Sequence, residues 1–141
     1  MPLSEVVIDK RVLEGFKKRA LKHYPREFLE IMLGRVDGER VFVYGFETFD
    51  HEGDRDTIWV DPESKFNDDQ DIHRHAILGT VHTHCDVSPD PSPTDWRNAR
   101  AEKELIFAVC GIRKSRGGRR FVSWWFGDPV ARKQLHLVIS E

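Results

Sequence analysis

Residues 76–95 read AILGTVHTHCDVSPDPSPTD, and this stretch predicts the centre of the fold. Its first part, residues 76–81, is an apolar run typical of a buried strand, and it leads directly into His82 and His84. Residues two apart on a strand point to the same face of a sheet, so the two imidazoles can converge on one ion. We therefore predict a strand at residues 76–82 with two metal ligands at its carboxyl end.

The sequence after this strand predicts a helix start that adds a third ligand. Ser92 suits the capping position, Pro93 suits the first helical position, and Asp95 is an acid three residues after the cap. The short loop between strand and helix can place Asp95 beside the two histidines. Two imidazole nitrogens and one carboxylate form a common catalytic zinc shell, because three protein ligands leave the fourth position open for water. We predict one Zn²⁺ per chain, held by His82, His84 and Asp95.

Each part of this site has a simpler explanation when it is taken alone. Two histidines on one face of a strand can be surface or structural residues, and Ser-Pro-Thr-Asp is an ordinary helix cap. A second His-x-His pair, His73 and His75, lies near the end of a predicted helix, where positions two apart diverge by about 200° around the axis. We interpret that pair as surface residues. The zinc hypothesis therefore depends on the conjunction of both histidines and Asp95 within one strand-to-helix loop.

The hydrophobic pattern around this stretch predicts one α/β (α+β) domain that spans residues 1–141, with a mixed sheet flanked by helices. We predict helices at residues 9–24, 64–74 and 93–104. We predict strands at residues 27–36, 40–46, 57–60, 76–82, 105–111, 119–126 and 135–139, and a polar loop at residues 51–54. Asp37-Gly38 is a strong hairpin signal. The unit at residues 76–111 should be a right-handed parallel crossover.

Composition excludes several classes of protein. The formal net charge of −2 argues against nucleic acid as the main partner, and the basic cluster at residues 113–120 is typical of a solvated hairpin tip. No apolar run approaches the ~20 residues of a membrane span, so we expect no membrane contact. The amino-terminal residues lack the layout of a signal peptide, and we therefore expect a cytoplasmic protein.

A zinc-bound water also needs a general base. Glu27 and Glu30 stand out because they flank or interrupt the apolar segment 28–33, where an acid is unfavourable unless it has a role. They are three residues apart on a predicted strand and thus face opposite sides, so only one of them can address the zinc. Spacing alone does not choose between them.

The spacing of His82, His84, Ser92 and Asp95 resembles in full the signature of the JAMM (MPN+) zinc metalloproteases. The resemblance implies that family's curved mixed sheet and a zinc-dependent hydrolysis of peptide or isopeptide bonds. It also implies roles for single residues. Glu27, two residues after a proline as in the family's glutamate segment, would be the general base, and Ser92 would hydrogen-bond the oxyanion.

Small prokaryotic and archaeal members that this sequence is similar to remove ubiquitin-like modifiers after a carboxyl-terminal Gly-Gly, as deubiquitinase-like and desampylase enzymes do. The resemblance thus implies ubiquitin-like proteins and their lysine conjugates as partners. Two alternatives stay open: a peptidase that processes a sulfur-carrier tail, and a non-catalytic module that binds ubiquitin-like folds around a structural zinc. The run at residues 124–126 must point one tryptophan away from the core, where it can line a partner surface, so a homodimer also stays open.

Two positions differ from the family pattern. Glu30 stands where family members usually have a small residue, and Cys85 replaces the proline that often follows the second histidine. The Cys85 thiol is a rival ligand, a redox switch or half of a disulfide. Cys110 ends the strand expected beside the one that carries His84. The ends of the two strands can therefore meet within the ~4.4–6.8 Å between α-carbons that a disulfide allows. Our hypothesis is a Cys85–Cys110 bond that braces the zinc loop.

Overall fold

One curved sheet of eight strands dominates the computed structural model, which describes residues 2–47, 51–53, 58–60 and 76–141. In that part of the chain the helices are Lys10–His23 (α1) and Pro93–Ala101 (α2). The strands are Glu5–Asp9 (β1), Leu29–Asp37 (β2), Arg40–Glu47 (β3), His51–Gly53 (β4), Ile58–Val60 (β5), Ala76–Cys85 (β6), Phe107–Lys114 (β7), Arg120–Asp128 (β8), Lys133–Gln134 (β9) and His136–Ser140 (β10).

The large sheet has the order β10-β1-β3-β2-β6-β7-β8-β9, while β4 and β5 pair only with each other. Its two edge strands, β9 and β10, follow one another in the chain, and Leu135 joins them. The Leu135 N–H donates to the Phe126 carbonyl on one side, and the His136 N–H donates to the Ser4 carbonyl on the other. The sheet therefore curls into a nearly closed barrel, and the predicted mixed α+β architecture is confirmed.

The strand that carries the two histidines lies in the middle of this sheet. β6 pairs antiparallel with β2 on one side and parallel with β7 on the other, and α2 connects β6 to β7. The predicted parallel pairing within residues 76–111 is thus confirmed. β6 extends through Cys85, three residues beyond the predicted end, so both histidines belong to the strand. Strand alternation therefore applies to them, as the sequence argument required.

Aromatic rings fill both faces of the curved sheet. On one face, Phe16 of α1 contacts the rings of Phe28, Phe46 and Trp124, which come from segments far apart in the chain. The other tryptophan of β8, Trp125, faces the opposite side and contacts Trp96 of α2 at a centroid distance of 5.4 Å. One tryptophan of the pair therefore faces away from Phe16, as the sequence predicted, and α2 packs against part of it. A partner surface and a homodimer stay predictions.

Several sequence predictions need correction at their boundaries. The amino-terminal strand β1 was not predicted, because only three apolar residues mark it and its partners, β3 and β10, are distant in sequence. Residues 51–53 form β4 and not a polar loop, since they pair with β5. α2 ends at Ala101, three residues early, and Lys103 beyond it has a φ of 56°. The predicted helix at residues 64–74 and the His73/His75 pair lie outside the described residues.

The predicted Cys85–Cys110 disulfide is also wrong, since both residues are free thiols in this structure. The prediction assumed that β7 ends at Cys110, but β7 continues to Lys114. The parallel register consequently places Cys110 opposite Thr83, and Cys85 lies opposite Ile112. Residues displaced by two positions on neighbouring strands are roughly 7–8 Å apart, beyond the usual α-carbon separation of a disulfide.

Candidate metal centre

Three side chains from β6 and α2 meet at one point of the fold. The Nε2 atoms of His82 and His84 lie 3.2 Å apart, and Asp95 presents one carboxylate oxygen to each ring. The His82 Nε2 atom is 3.3 Å from Asp95 Oδ1, and the His84 Nε2 atom is 3.1 Å from Asp95 Oδ2. The structure thus brings together all three ligands that the sequence predicted.

This arrangement has the dimensions of a zinc shell. Zinc bonds to nitrogen and carboxylate oxygen measure about 2.0–2.2 Å, so neighbouring ligand atoms of a tetrahedral site lie about 3.3–3.5 Å apart. The three separations between ligand atoms, 3.1–3.3 Å, fall at or just below this range. Two nitrogens and one oxygen also match the chemistry of a catalytic zinc with an open fourth position. The residues present therefore fit the metal.

A hydrogen bond fixes the ring of His84 in the orientation that a metal ligand needs. Its Nδ1 atom lies 2.8 Å from the carbonyl oxygen of Ser88. Because a carbonyl only accepts, Nδ1 must carry a proton. In the neutral ring, which is the form that binds a metal, Nε2 is then the lone-pair nitrogen on the side of Asp95. The loop after β6 thus sets the tautomer of a ligand on β6 itself.

Asp95 is held by the first turn of α2 as well as by the histidines. The Ser92 N–H donates to Asp95 Oδ2 at 2.8 Å, and the Asp95 N–H donates to Ser92 Oγ at 3.1 Å, which is a complete capping box. Partial burial alone would raise the pKa of Asp95, but the hydrogen bonds from His82 and His84 outweigh it and lower that pKa below its usual value. In the metal-free protein the protonated His84 ring donates to Asp95 through Nε2, and this hydrogen bond raises the pKa of His84 against the opposing effect of its burial.

The loop between the histidines and α2 is anchored to both neighbouring segments. Asp86 adopts a φ of 58°, and its carboxylate accepts hydrogen bonds from the Tyr24 hydroxyl and from the Lys114 N–H. Cys85 is the residue before it, and its Sγ atom lies 3.8 Å from the Arg26 carbonyl and 3.9 Å from Thr83 Oγ1. The described residues contain one cluster of potential ligands, and Cys85 is not part of it. The structure therefore gives no support to Cys85 as a rival ligand.

The metal centre opens onto a cleft of about 330 Å³ between β6 and α2. Eleven residues line it: Glu27, Leu29, Thr80, His82, Ser92, Thr94, Asp95, Asn98, Ala99, Glu104 and Phe107. Ser92 and Glu27, the two residues expected to act beside the metal, are both among them. A hydrolytic site needs such a space, because the scissile bond must reach the open ligand position.

The position of Glu27 follows from how its segment joins β6. Phe28, the next residue, accepts a hydrogen bond from the Thr83 N–H at 3.0 Å and donates one to Thr83 Oγ1 at 2.9 Å. Thr83 lies between His82 and His84, so this clamp holds the chain that carries Glu27 beside the ligands. Glu27 itself is exposed and free to meet a substrate.

Glu30, the other candidate that spacing left open, is paired with a residue of α1. Its carboxylate is fully buried, and Arg19 of α1 donates to both of its oxygens, with Nε 2.7 Å from Oε2 and Nη2 2.8 Å from Oε1. Glu30 is not among the residues that line the cleft. Of the two candidate bases, only Glu27 faces the metal centre.

Glu104 is a cleft residue that the sequence reasoning missed. Burial raises the pKa of its carboxyl group, and hydrogen bonds with Thr80 oppose this shift. The Thr80 hydroxyl donates to Glu104 Oε1 at 2.5 Å, which fixes the acid against β6. Its position directly before the apolar strand at residues 105–111 was the available signal, but only the packing of that strand against β6 places it in the cleft.

Comparison with known proteins identifies the family. The sequence profile described as "Prokaryotic homologs of the JAB domain" matches residues 9–127. The chain belongs to this family. It is a small JAMM/MPN-type domain of the prokaryotic kind, and the resemblance that the His-Ser-Asp spacing carried is confirmed.

Two solved structures share the JAB fold at low sequence identity. The solution structure of protein DSY2949 from Desulfitobacterium hafniense is 18% identical, with a TM-score of 0.67 over 96% of this chain and 93% of that one. A structure described as JAMM, a metalloprotease-like zinc site in the proteasome and signalosome, is 15% identical, with a TM-score of 0.59 over 99% of both chains. No curated protein sequence matches the chain. No helix of the described residues is long and apolar enough to cross a membrane.

The family and the His82-His84-Asp95 cluster together support a JAMM-like metallo-hydrolase. The family supplies the fold and the expected class of chemistry. The geometry of this chain supplies three ligand atoms at metal-binding separations, next to an acid and a serine in the same cleft.

Proposed function

We propose that this JAB domain is a zinc isopeptidase that removes ubiquitin-like modifiers by cleavage after a carboxyl-terminal Gly-Gly. The observation that carries the proposal is the convergence of three ligand atoms, 3.1–3.3 Å apart, in a cleft that also holds an uncommitted acid. A structural zinc site is typically closed by four protein ligands, whereas the described residues supply three to this one. An open position favours catalysis over a structural role.

A bound zinc would polarise the scissile carbonyl and lower the pKa of its water, and His82, His84 and Asp95 would hold it. Glu27 would take the proton of the attacking water and later pass it to the leaving amine, because it is the exposed one among the acids that line the cleft. Ser92 accepts a hydrogen bond from the Asp95 N–H, so its own hydroxyl proton is free to point into the cleft. That proton would stabilise the oxyanion of the tetrahedral intermediate.

The shape of the cleft agrees with a thin, extended tail as the substrate. β6 and α2 contribute to its lining, and the apolar side chains of Leu29 from β2 and Phe107 from β7 add to it. A pair of glycines passes through a narrow approach more easily than residues with side chains. Such a tail could add to an exposed sheet edge through backbone hydrogen bonds. Residues 40–43 do not form such an edge, because they pair with β1 on one side and with β2 on the other.

The test is the cleavage of a ubiquitin-like protein joined through its terminal Gly-Gly to a lysine side chain. The zinc-loaded protein should release the modifier, and a chelator should abolish the release. Glu27→Ala should abolish it while zinc stays bound, as measured by metal analysis of the purified variant. Glu27→Gln is the matched control for shape. Full activity in either variant would refute the assignment of the base.

Two other functions are separated by the same assay with different substrates. A peptidase for sulfur-carrier tails would cut a linear extension after Gly-Gly and leave the lysine conjugate intact. A binding module with structural zinc would bind the modifier and cleave neither substrate. Absence of hydrolysis by fully zinc-loaded protein would thus refute an enzyme of this specificity.

A further inference from the structure

A second cavity, of about 230 Å³, lies on the opposite side of α2 from the metal cleft. Its lining, which we call the arginine pocket, consists of Pro93, Trp96, Arg97, Arg100, Pro129 and Arg132. None of these residues lines the metal cleft. The arginines come from two separate segments, since two lie on α2 and Arg132 lies in the turn between β8 and β9.

The three guanidinium groups of the arginine pocket have no acidic partner among the described residues. They differ in this from Arg11, which pairs with Asp9, and Arg40, which pairs with Glu5. No such ion pair involves the arginines of the pocket within residues 2–47, 51–53, 58–60 and 76–141. Three exposed positive charges therefore converge on one cavity without a counter-charge from the described chain.

The pocket is built on a rigid base. The floor is Trp96, whose ring contacts Phe107 at a centroid distance of 5.1 Å and Trp125 at 5.4 Å, both in edge-to-face geometry. Arg132 lies over the exposed side of this ring, with its guanidinium carbon 5.8 Å from the centroid. An aromatic ring fixed in this way keeps its position whether or not a ligand is present.

The turn that presents Arg132 is equally well defined. The buried Asp128 accepts hydrogen bonds from the Val130 N–H at 2.9 Å and from the Ala131 N–H at 3.1 Å, both through Oδ1. Arg132 has a φ of 54°, in the left-handed region that favours glycine. An arginine in this conformation is an outlier of the kind that concentrates at functional sites. Arg97 is also oriented, because it donates to Thr94 Oγ1 at 3.2 Å.

We propose that the arginine pocket docks an acidic segment of the protein substrate, so this inference rests on the proposed function. A glutamate or aspartate would place its carboxylate among the guanidinium groups and its aliphatic part on Trp96 and the two prolines. Guanidinium forks match carboxylates in geometry, and arginine stacks well on aromatic rings. Free phosphate would leave the apolar floor unused. Nucleic acid would need a longer basic track than one pocket, and the net charge of −2 opposes it.

The position of the pocket connects it to the metal centre. Asp95 and Trp96 are neighbours on α2 and face the cleft and the pocket respectively. A helix is about 10–12 Å across with its side chains. A folded modifier whose tail enters the cleft therefore extends over α2 and can reach the pocket with its globular part. The pocket would then contribute to KM and leave kcat unchanged.

A binding experiment tests the pocket without any catalysis. The probe is a capped hexaglutamate peptide added to the zinc-loaded Glu27→Ala protein, and the readout is the indole N–H resonance of Trp96, assigned by its absence in Trp96→Phe. We expect this resonance to shift with peptide, but not with hexaglutamine. Arg100→Glu/Arg132→Glu should raise the dissociation constant of the peptide by roughly three- to tenfold, as expected for the loss of exposed ion pairs. Arg116→Glu/Arg119→Glu, with the same change of charge at the β7–β8 turn, should leave it unchanged.

Three results would overturn the inference. In the first, the two double variants lose peptide binding to the same extent. In the second, an equal concentration of inorganic phosphate displaces the peptide. In the third, single-stranded oligo-dT binds more tightly than the peptide. With a cleaved conjugate in hand, Arg100→Glu/Arg132→Glu should raise KM three- to tenfold at constant kcat. An unchanged KM would refute the docking role while leaving the proposed function intact. Peptide binding without cleavage of any conjugate would support the pocket and refute the proposed function.

Discussion

Replacement of Arg19 should lower the free energy of unfolding far more than its partly exposed side chain suggests. Glu30 is 0% exposed and receives two short hydrogen bonds from Arg19, whose own side chain is 40% exposed. Arg19→Met would leave a buried carboxylate without its cation. Breaking a buried ion pair in this way costs about 3–5 kcal/mol. We expect the lower end, about 3 kcal/mol, because water partly screens Arg19.

The corresponding shift in melting temperature can be estimated from chain length. The entropy of unfolding is about 2.1 cal/mol/K per residue, which gives roughly 0.3 kcal/mol/K for 141 residues. A loss of about 3 kcal/mol should therefore lower Tm by about 10 °C. Differential scanning calorimetry of the zinc-loaded protein at neutral pH would measure it. Arg11→Met is the matched control, because Arg11 forms a surface ion pair and its side chain is 92% exposed. The Tm of this variant should barely change.

The double variant Arg19→Met/Glu30→Met separates a broken pair from a general loss of packing. Replacing both partners of a buried pair by apolar residues of similar size is often neutral or stabilising. The double variant should therefore recover most of the lost Tm, and it should retain zinc and hydrolytic activity, because Glu30 does not line the cleft. A Tm loss below about 3 °C in Arg19→Met, or no recovery in the double variant, would contradict the reasoning about buried charge. Loss of activity in a double variant that has recovered its Tm would contradict the choice of Glu27 as the base.

Three further predictions concern the metal loop. Ser92→Gly should change helix stability by only a few tenths of a kcal/mol, because glycine caps a helix nearly as well as serine. The same variant should lower kcat by about 10²–10³, because the hydroxyl that binds the oxyanion is lost. An unchanged kcat would exclude that role of Ser92. The raised pKa of His84 stabilises the metal-free fold below the ordinary value of 6.5, and this stability is lost as pH rises through the raised pKa. The Tm of chelated protein should thus fall through this group as pH rises above 6.5, whereas zinc affinity should rise, because the metal needs neutral imidazole. Denatured, unreduced protein should titrate as two thiols, and fewer than two would restore the disulfide hypothesis. In the native protein a thiol reagent should react at Cys85 first, because burial raises the pKa of Cys110 to about 12.

The metal ligands could be predicted from the sequence because each depends on a local rule. The alternation of a strand places the rings of His82 and His84 on one face, and the Ser92 cap fixes where α2 begins. Both rules act over a few residues and need no knowledge of distant contacts. Only the short distance between Asp95 and the histidines required the fold, and the loop between them is too short to allow many alternatives.

What escaped prediction depends on contacts between distant segments. Glu27 and Glu30 look equivalent in sequence, and they differ because α1 places Arg19 against one and Thr83 clamps the chain beside the other. The disulfide hypothesis failed for a similar reason, since two cysteines near the ends of neighbouring strands cannot be assigned a register from sequence. β1 was missed because its stability comes from β3 and β10.

The double role of Asp95 links the integrity of α2 to the metal centre. Its Oδ2 atom accepts the Ser92 N–H of the capping box and also faces His84, while its Oδ1 atom faces His82. The helix cap therefore orients the carboxylate before any metal binds, and the Ser88 carbonyl does the same for His84. Ligands held in this way lose little conformational freedom on binding, which favours tight binding of zinc. Because α2 also carries the floor of the arginine pocket, one short helix positions a metal ligand on one side and a candidate docking surface on the other. A substitution that loosens the start of α2 should consequently weaken both functions together, whereas a change at Arg132 should affect docking alone.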